Sequence, residues 1–148
     1  MKYQIFLPLI FSLLSSFQIL HAQDAVAWEI QWNYNNVRYD ALLWQGRDDN
    51  WYMRVRFWVY GGINIIEQRM EPDYDENGLY LMGHSPYFIQ ASTNQNSYVA
   101  DNLFFYTNGY TTKIYNLDYN FQLSEVIFAK PIRTLDQYYN IKRERYGG

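Results

Sequence analysis

Cysteine is absent from the 148 residues, so disulfides, thiol nucleophiles and thiolate metal sites are excluded together. A lipid anchor of the bacterial lipoprotein kind is excluded too, because that modification needs a Cys thiol at the cleavage site. Histidine is nearly as scarce. Only His21 and His84 occur, too few for a His-rich metal centre. No G-x-S-x-G, P-loop or dinucleotide-binding glycine pattern is present, and there is no internal repeat, linker or low-complexity segment. The one long apolar run, Ile5 to Leu20, is sixteen residues broken by Ser15, Ser16 and Gln18. A membrane-spanning helix needs about 20 predominantly apolar residues.

That run instead predicts a removable secretory signal. Lys2 precedes it, and Leu20-His21-Ala22 closes it with a small residue. Cleavage is expected after Ala22, with Ala27 behind Ala25-Val26-Ala27 as the second site; an uncleaved anchor is the alternative. The protein is then secreted or periplasmic, without a stable membrane anchor, and residues 23–148 form a single domain large enough to bury a core without cross-links. Beyond Ala22, eleven Lys and Arg face fifteen Asp and Glu, a net charge of −4. This speaks against nucleic acid or an anionic membrane as partner, since both demand concentrated positive charge. Twenty-six aromatic residues, fifteen of them Tyr, lie in the same 126 residues. Such rings favour strands and fill a thin core efficiently.

The patterning is that of an antiparallel all-β meander of seven or eight strands, a small barrel or sandwich, with a short C-terminal helix. Trp28, Ile30 and Trp32 alternate with polar residues, Asn33 to Asn36 read as a turn, and Val37 to Leu43 form the partner strand. Trp51, Met53, Val55, Phe57 and Val59 share one face of a third strand. Gly61-Gly62 suits a two-residue hairpin turn, which would set Phe57 opposite Ile66, Arg56 opposite Glu67 and Arg54 opposite Arg69. Pro72 should end that fourth strand. Leu79 to Met82 is its successor, and Ser85 to Asn102 reads as a long polar loop. Leu103 to Thr107 and Tyr110 to Leu117 flank an Asn108-Gly109 turn, and Phe121 to Ile127 should be a last strand with Phe121 and Leu123 inward. Thr134 with Gln137 forms a capping box for a helix from Leu135 to about Tyr146, closed by Gly147, with Arg143 and Arg145 at its negative end.

Three constellations are candidates for chemistry. Tyr52, Arg54, Arg56, Trp58 and Tyr60 share a strand face suited to stacking on sugars or peptide side chains, or else lie beneath the helix or the long loop. Asp73, Asp75 and Asn77 before Gly78 match the start of a calcium loop, but the twelfth position is His84 where a bidentate Glu is required. A hairpin tip with solvated acids explains them as well. His84 adjoins Ser85, yet neighbours on a strand point to opposite faces, so the pair forms no dyad and no catalytic residue is assigned.

The segments Ile66 to Met70, Gly78 to Pro86 and Tyr98 to Phe105 resemble a small β-domain of uncharacterised exported bacterial proteins. The resemblance covers about the middle half of the chain and implies location and fold type but no catalytic residues; no cofactor is expected. The expected function is a non-catalytic binding or interaction module for a small molecule, glycan or protein. A calycin-like carrier of a small apolar ligand and a carboxylate-based hydrolase are the alternatives.

Overall fold

The computed structural model describes residues 25–92, 97–107, 112–118 and 120–148; the expected signal segment and the Asn108-Gly109 turn lie outside them. The described chain is a meander of antiparallel strands: β1 (Ala27–Tyr34), β2 (Val37–Gln45), β3 (Trp51–Val59), β4 (Gly62–Asp75), β5 (Gly78–Gln90), β6 (Asn102–Thr107), β7 (Thr112–Leu117), β8 (Leu123–Glu125) and β9 (Phe128–Ile132). One helix, α1 (Leu135–Arg145), follows. The strands form one sheet in the order β8-β7-β6-β5-β4-β3-β2-β1-β9, curled into a half-barrel. Its two edge strands are successive in the chain, separated only by Val126 and Ile127. The Val126 N–H donates to Ile114 O of β7 at 3.1 Å, and the Ile127 N–H donates to Gln31 O of β1 at 2.8 Å. Adjacent peptide groups thus bond to opposite sides of the curl and draw it shut at that level.

Period-two alternation decides which residues enter. Ile30, Leu43, Met53, Val55, Ile66, Leu79, Leu81 and Leu103 fill the interior and are essentially inaccessible to solvent. The outer face of β1 to β3 is covered by α1. Ala27, Leu42, Trp44 and Ile132 meet Tyr138 and Tyr146 there, and Lys142 Nζ stands 4.5 Å above the Trp44 ring. The helix begins as its cap predicts, with the Gln137 N–H donating to Thr134 Oγ1 at 3.2 Å. It ends with the Tyr146 and Gly148 N–H groups both on Lys142 O, and Gly147 in the left-handed region at φ 80°.

Four expectations are corrected. The β3–β4 turn is Tyr60-Gly61, with φ of 51° and 75°, not Gly61-Gly62. Every pairing therefore moves by two residues: Val55 faces Ile66, Arg54 faces Glu67 and Tyr52 faces Arg69. A shift of two leaves every side chain on its expected face, and it exchanges the Arg54–Arg69 clash for an ion pair. Pro72 does not end β4. Pairing with β3 stops at Met70, so beyond it β4 has a partner on one side only and a residue without an N–H forfeits no ladder bond. The loop expected from Ser85 starts only after Gln90, because β5 continues through irregularities that hide its alternation. Ser85 and Pro86 together oppose Gln68, and Ser85 adopts φ 53°. Finally, the strand expected from Phe121 to Ile127 is only β8, an unexpected ninth strand, β9, follows it, and Phe121 and Leu123 face solvent while Val126 packs on the core.

Arg54 joins sheet to helix. Its Nε donates to Glu67 Oε2 at 2.7 Å and its Nη1 to the carbonyls of Tyr146 at 2.8 Å and Gly148 at 3.1 Å. Removing one side of a buried charged pair leaves the rest unsatisfied. Arg54→Ala should therefore lower unfolding stability by about 2–4 kcal/mol in urea titrations, whereas Arg56→Ala, whose 3.9 Å contact with Asp40 is partly exposed, should cost about 0.5 kcal/mol or less.

Candidate functional site

Toward the β1–β2 and β3–β4 turns the interior is lined by rings. Trp32 stacks on Tyr39 at 5.7 Å between centroids, Tyr39 meets Phe57 at 5.3 Å, and Phe57 meets Tyr98 at 5.4 Å. This belt runs from β1 across β2 and β3 to the segment before β6. Above it opens a cavity of about 410 Å³. Trp32 and Tyr34 of β1 line it, with Tyr39 of β2, Phe57 and Val59 of β3, and Tyr60 of the following turn. Ser97 to Asp101 form one wall, and Asn116, Leu117 and Asp118 at the end of β7 form another.

Two buried amides of β4 hold that wall in place. Gln68 is fully buried; its Nε2 donates to Asp101 O at 2.7 Å and its Oε1 accepts the Asp101 N–H at 3.0 Å. Asn64, also fully buried, accepts the Ser92 N–H at 3.0 Å through Oδ1. Both ends of the segment between β5 and β6 are therefore tied to one strand. Gly83 makes the approach possible, since a Cβ there would overlap Gln68 Nε2 and Asp101 O.

Asp101 is the electrostatic centre of the cavity. It keeps some accessible surface, yet protein crowds its carboxyl, and burial pushes it up to about 7 against the opposing effect of a 2.6 Å hydrogen bond from the Tyr98 hydroxyl. The same burial raises Tyr98 well above the ordinary phenol range, with the Asp101 charge adding to the effect; Tyr39 rises for the same two reasons. Asp118 Oδ1 accepts the N–H groups of Asn120 at 2.8 Å and Gln122 at 2.9 Å. Asn116 is 8 % exposed, and its Nδ2 has no hydrogen-bond partner among the described residues.

The aromatic and arginine stripe is divided by the helix. Tyr52 donates to Asp48 at 2.6 Å, Arg54 is buried beneath the C-terminal turn, and Arg56 is half-buried. Trp58 and Tyr60 stand 60 % and 83 % exposed, and only Tyr60 reaches the cavity. Asp73 and Asp75 sit at the end of β4. Asp75 Oδ1 accepts the N–H groups of Asn77 at 2.8 Å and Gly78 at 3.2 Å, which is the bonding of a hairpin tip. Among the described residues no three carboxylate or imidazole groups gather as metal ligands. His84 Nδ1 lies 3.1 Å from Ser85 Oγ, contrary to the expectation that the two point apart, because the positive φ of Ser85 turns its side chain. The pair is exposed and lies outside the cavity lining.

The cavity residues Asp101 and Asn116, and Gln68 that holds the wall, carry no sequence motif. The available signal was a polar residue at an inward position, as with Asn64 and Gln68 beside Ile66 and Met70. No protein-family model, curated protein or solved structure matches this chain.

The Asp101 carboxyl gives a pH signature. Its ordinary value is 3.8, so between about pH 4 and 7 the folded protein keeps a proton that the unfolded chain has released. The resulting stabilisation is complete below pH 4 and is lost as pH rises through 7. Allowing for the partial access of water, Asp101→Asn should abolish a decline of about 1–3 kcal/mol across that window. Parallel pH profiles of the two proteins in denaturant titrations would refute this.

Proposed function

We propose that this is an exported, non-catalytic binding protein that takes a small molecule into the aromatic cavity at the end of its barrel. The observation that carries the reading is the cavity itself: about 410 Å³, open to solvent, walled by rings and provided with a few fixed polar groups. Ligand sites of roughly 300–1,000 Å³ have this make-up. The filled interior beneath the aromatic belt favours a shallow site over a deep calyx. Tyr34, Tyr60 and Val99, all well exposed, ring the opening and supply the surface on which a ligand first lands. Export rests on the N-terminal sequence, Lys2 to Ala22.

A carboxylate hydrolase is the second reading, favoured by one observation. Asp101 and Asp118 line the same cavity, and Asp101 holds its proton to near neutrality as a general acid must. Against it, one oxygen of Asp118 is already committed to two backbone N–H groups.

Protein-observed NMR with a set of small aromatic molecules tests the binding reading. Shifts are expected at Trp32, Phe57 and Tyr98, and Ala100→Trp, which fills the opening, should weaken binding at least about tenfold, the equivalent of roughly 1.4 kcal/mol. Hits that map instead to Trp44 and Lys142 under the helix would overturn it, and release of nitrophenol from nitrophenyl glycosides, lost in Asp101→Asn, would establish the hydrolase. Export predicts a mature N-terminus at Gln23 in protein recovered from outside the cytoplasm; an intact Met1 would refute it.

A further inference from the structure

Resting on the cavity reading, the polar atoms within that cavity specify the end of the ligand that enters first. Asn116 is the decisive residue. Its Nδ2 is a buried hydrogen-bond donor with no partner among the described residues, a condition folded proteins avoid because an unmet donor costs more than a made bond returns. Asn116 is placed at the end of β7 by pairing with Leu103 on one side and Ser124 on the other, so the strand cannot easily turn it away. It lines the cavity beside the wall that carries Asp101, since Asn116 pairs with Leu103, two residues past Asp101. The Asp101 carboxyl has one oxygen, Oδ2, taken by the Tyr98 hydroxyl.

We propose that the ligand is an uncharged ring compound whose polar end carries both an acceptor, taken by Asn116 Nδ2, and a donor, taken by the carboxyl of Asp101. The body of the molecule lies against the Trp32, Tyr39 and Phe57 rings, where flat apolar faces are offered and no further polar partner is needed. Charge selects against the alternatives. The cavity lining holds no Lys, Arg or His, while Asp101 and Asp118 both belong to it, so an anion is repelled. A cation would be drawn to Asp101 but would leave the Asn116 donor facing positive charge. A hydroxyl on an aromatic ring meets both demands, since one oxygen donates and accepts.

Four probes of one shape and different heads separate these cases: phenol, toluene, benzoate and benzylamine, each titrated at pH 7 and followed at the Trp32 indole and Asn116 amide resonances. Phenol should bind about tenfold more tightly than toluene, the equivalent of one or two hydrogen bonds, and benzoate most weakly. Asn116→Leu should erase the advantage of phenol while leaving toluene unchanged, which also shows that the pocket is intact. Its own thermal midpoint should rise, because the orphaned donor is gone. Asn116→Asp, of the same shape but without the donor, should lose phenol binding likewise. Equal binding of phenol and toluene, a preference for benzylamine, or phenol binding unaffected in both variants would overturn the head-group assignment and leave the cavity reading standing. If none of the four moves those resonances, the cavity reading falls with it.

Discussion

A buried amide must find hydrogen-bond partners, and the architecture at the open end of this barrel follows from that requirement. Strand β4 turns Asn64 and Gln68 into the interior on the same face as Ile66 and Met70. The sheet meets them only in part, through Gly62 O at 3.4 Å from Asn64 Nδ2 and Met70 Sδ at 2.9 Å from Gln68 Nε2. Each takes main-chain groups from the segment that links β5 to β6, Asn64 at Ser92 and Gln68 at Asp101. The segment is thereby bent over the barrel end, and Tyr98 and Asp101 become a wall. Without those two amides the end would need more aliphatic residues to close it, and there would be no chamber.

The interior also changes in kind along its axis. Leu43, Met53, Val55, Leu81 and Leu103 are buried beneath the belt, with Trp51 and Phe105 in the same cluster. The belt itself is built of rings, which are stiff and planar and leave gaps where they meet at an angle. The cavity lies at this junction, with apolar faces on the barrel side and the few polar atoms on the loop and on β7. That division of labour would orient the proposed guest: its body toward β1 to β3, its head toward Asp101 and Asn116.

Much of the fold was legible from the chain because its strands alternate cleanly. Trp28 to Trp32, Val37 to Leu43 and Trp51 to Val59 each read as half-buried strands, and α1 announced itself through Thr134 and Gln137. What escaped had local causes. A turn with Tyr at a positive φ, Tyr60, looks unsuited to its place, so the glycine pair beside it misplaced the register by two residues. The irregularities around Ser85 and Pro86 erased the alternation of β5 and made a strand look like a loop. The site was harder still. Asp101 and Asn116 stand in no motif; the β6–β7 hairpin sets Asn116 opposite Leu103, two residues past Asp101, in a register that the Asn108-Gly109 pair alone does not fix. The stripe on β3 was visible, but its fate depended on where a helix ninety residues away would lie.

The seam at Val126 and Ile127 bears on how the molecule comes to exist. These residues bond to β7 and to β1, so the curl is closed by a segment near the end of the chain meeting one near its beginning. Arg54 reaching Tyr146, and Arg145 reaching Glu29, impose the same condition on the helix. A partly synthesised chain can form hairpins, yet it lacks the segment that draws their curl together. Closure pays the entropy of the longest loop last. Until those late residues are available the hairpins stay an open ribbon, and once they are, a single late pairing event completes the whole.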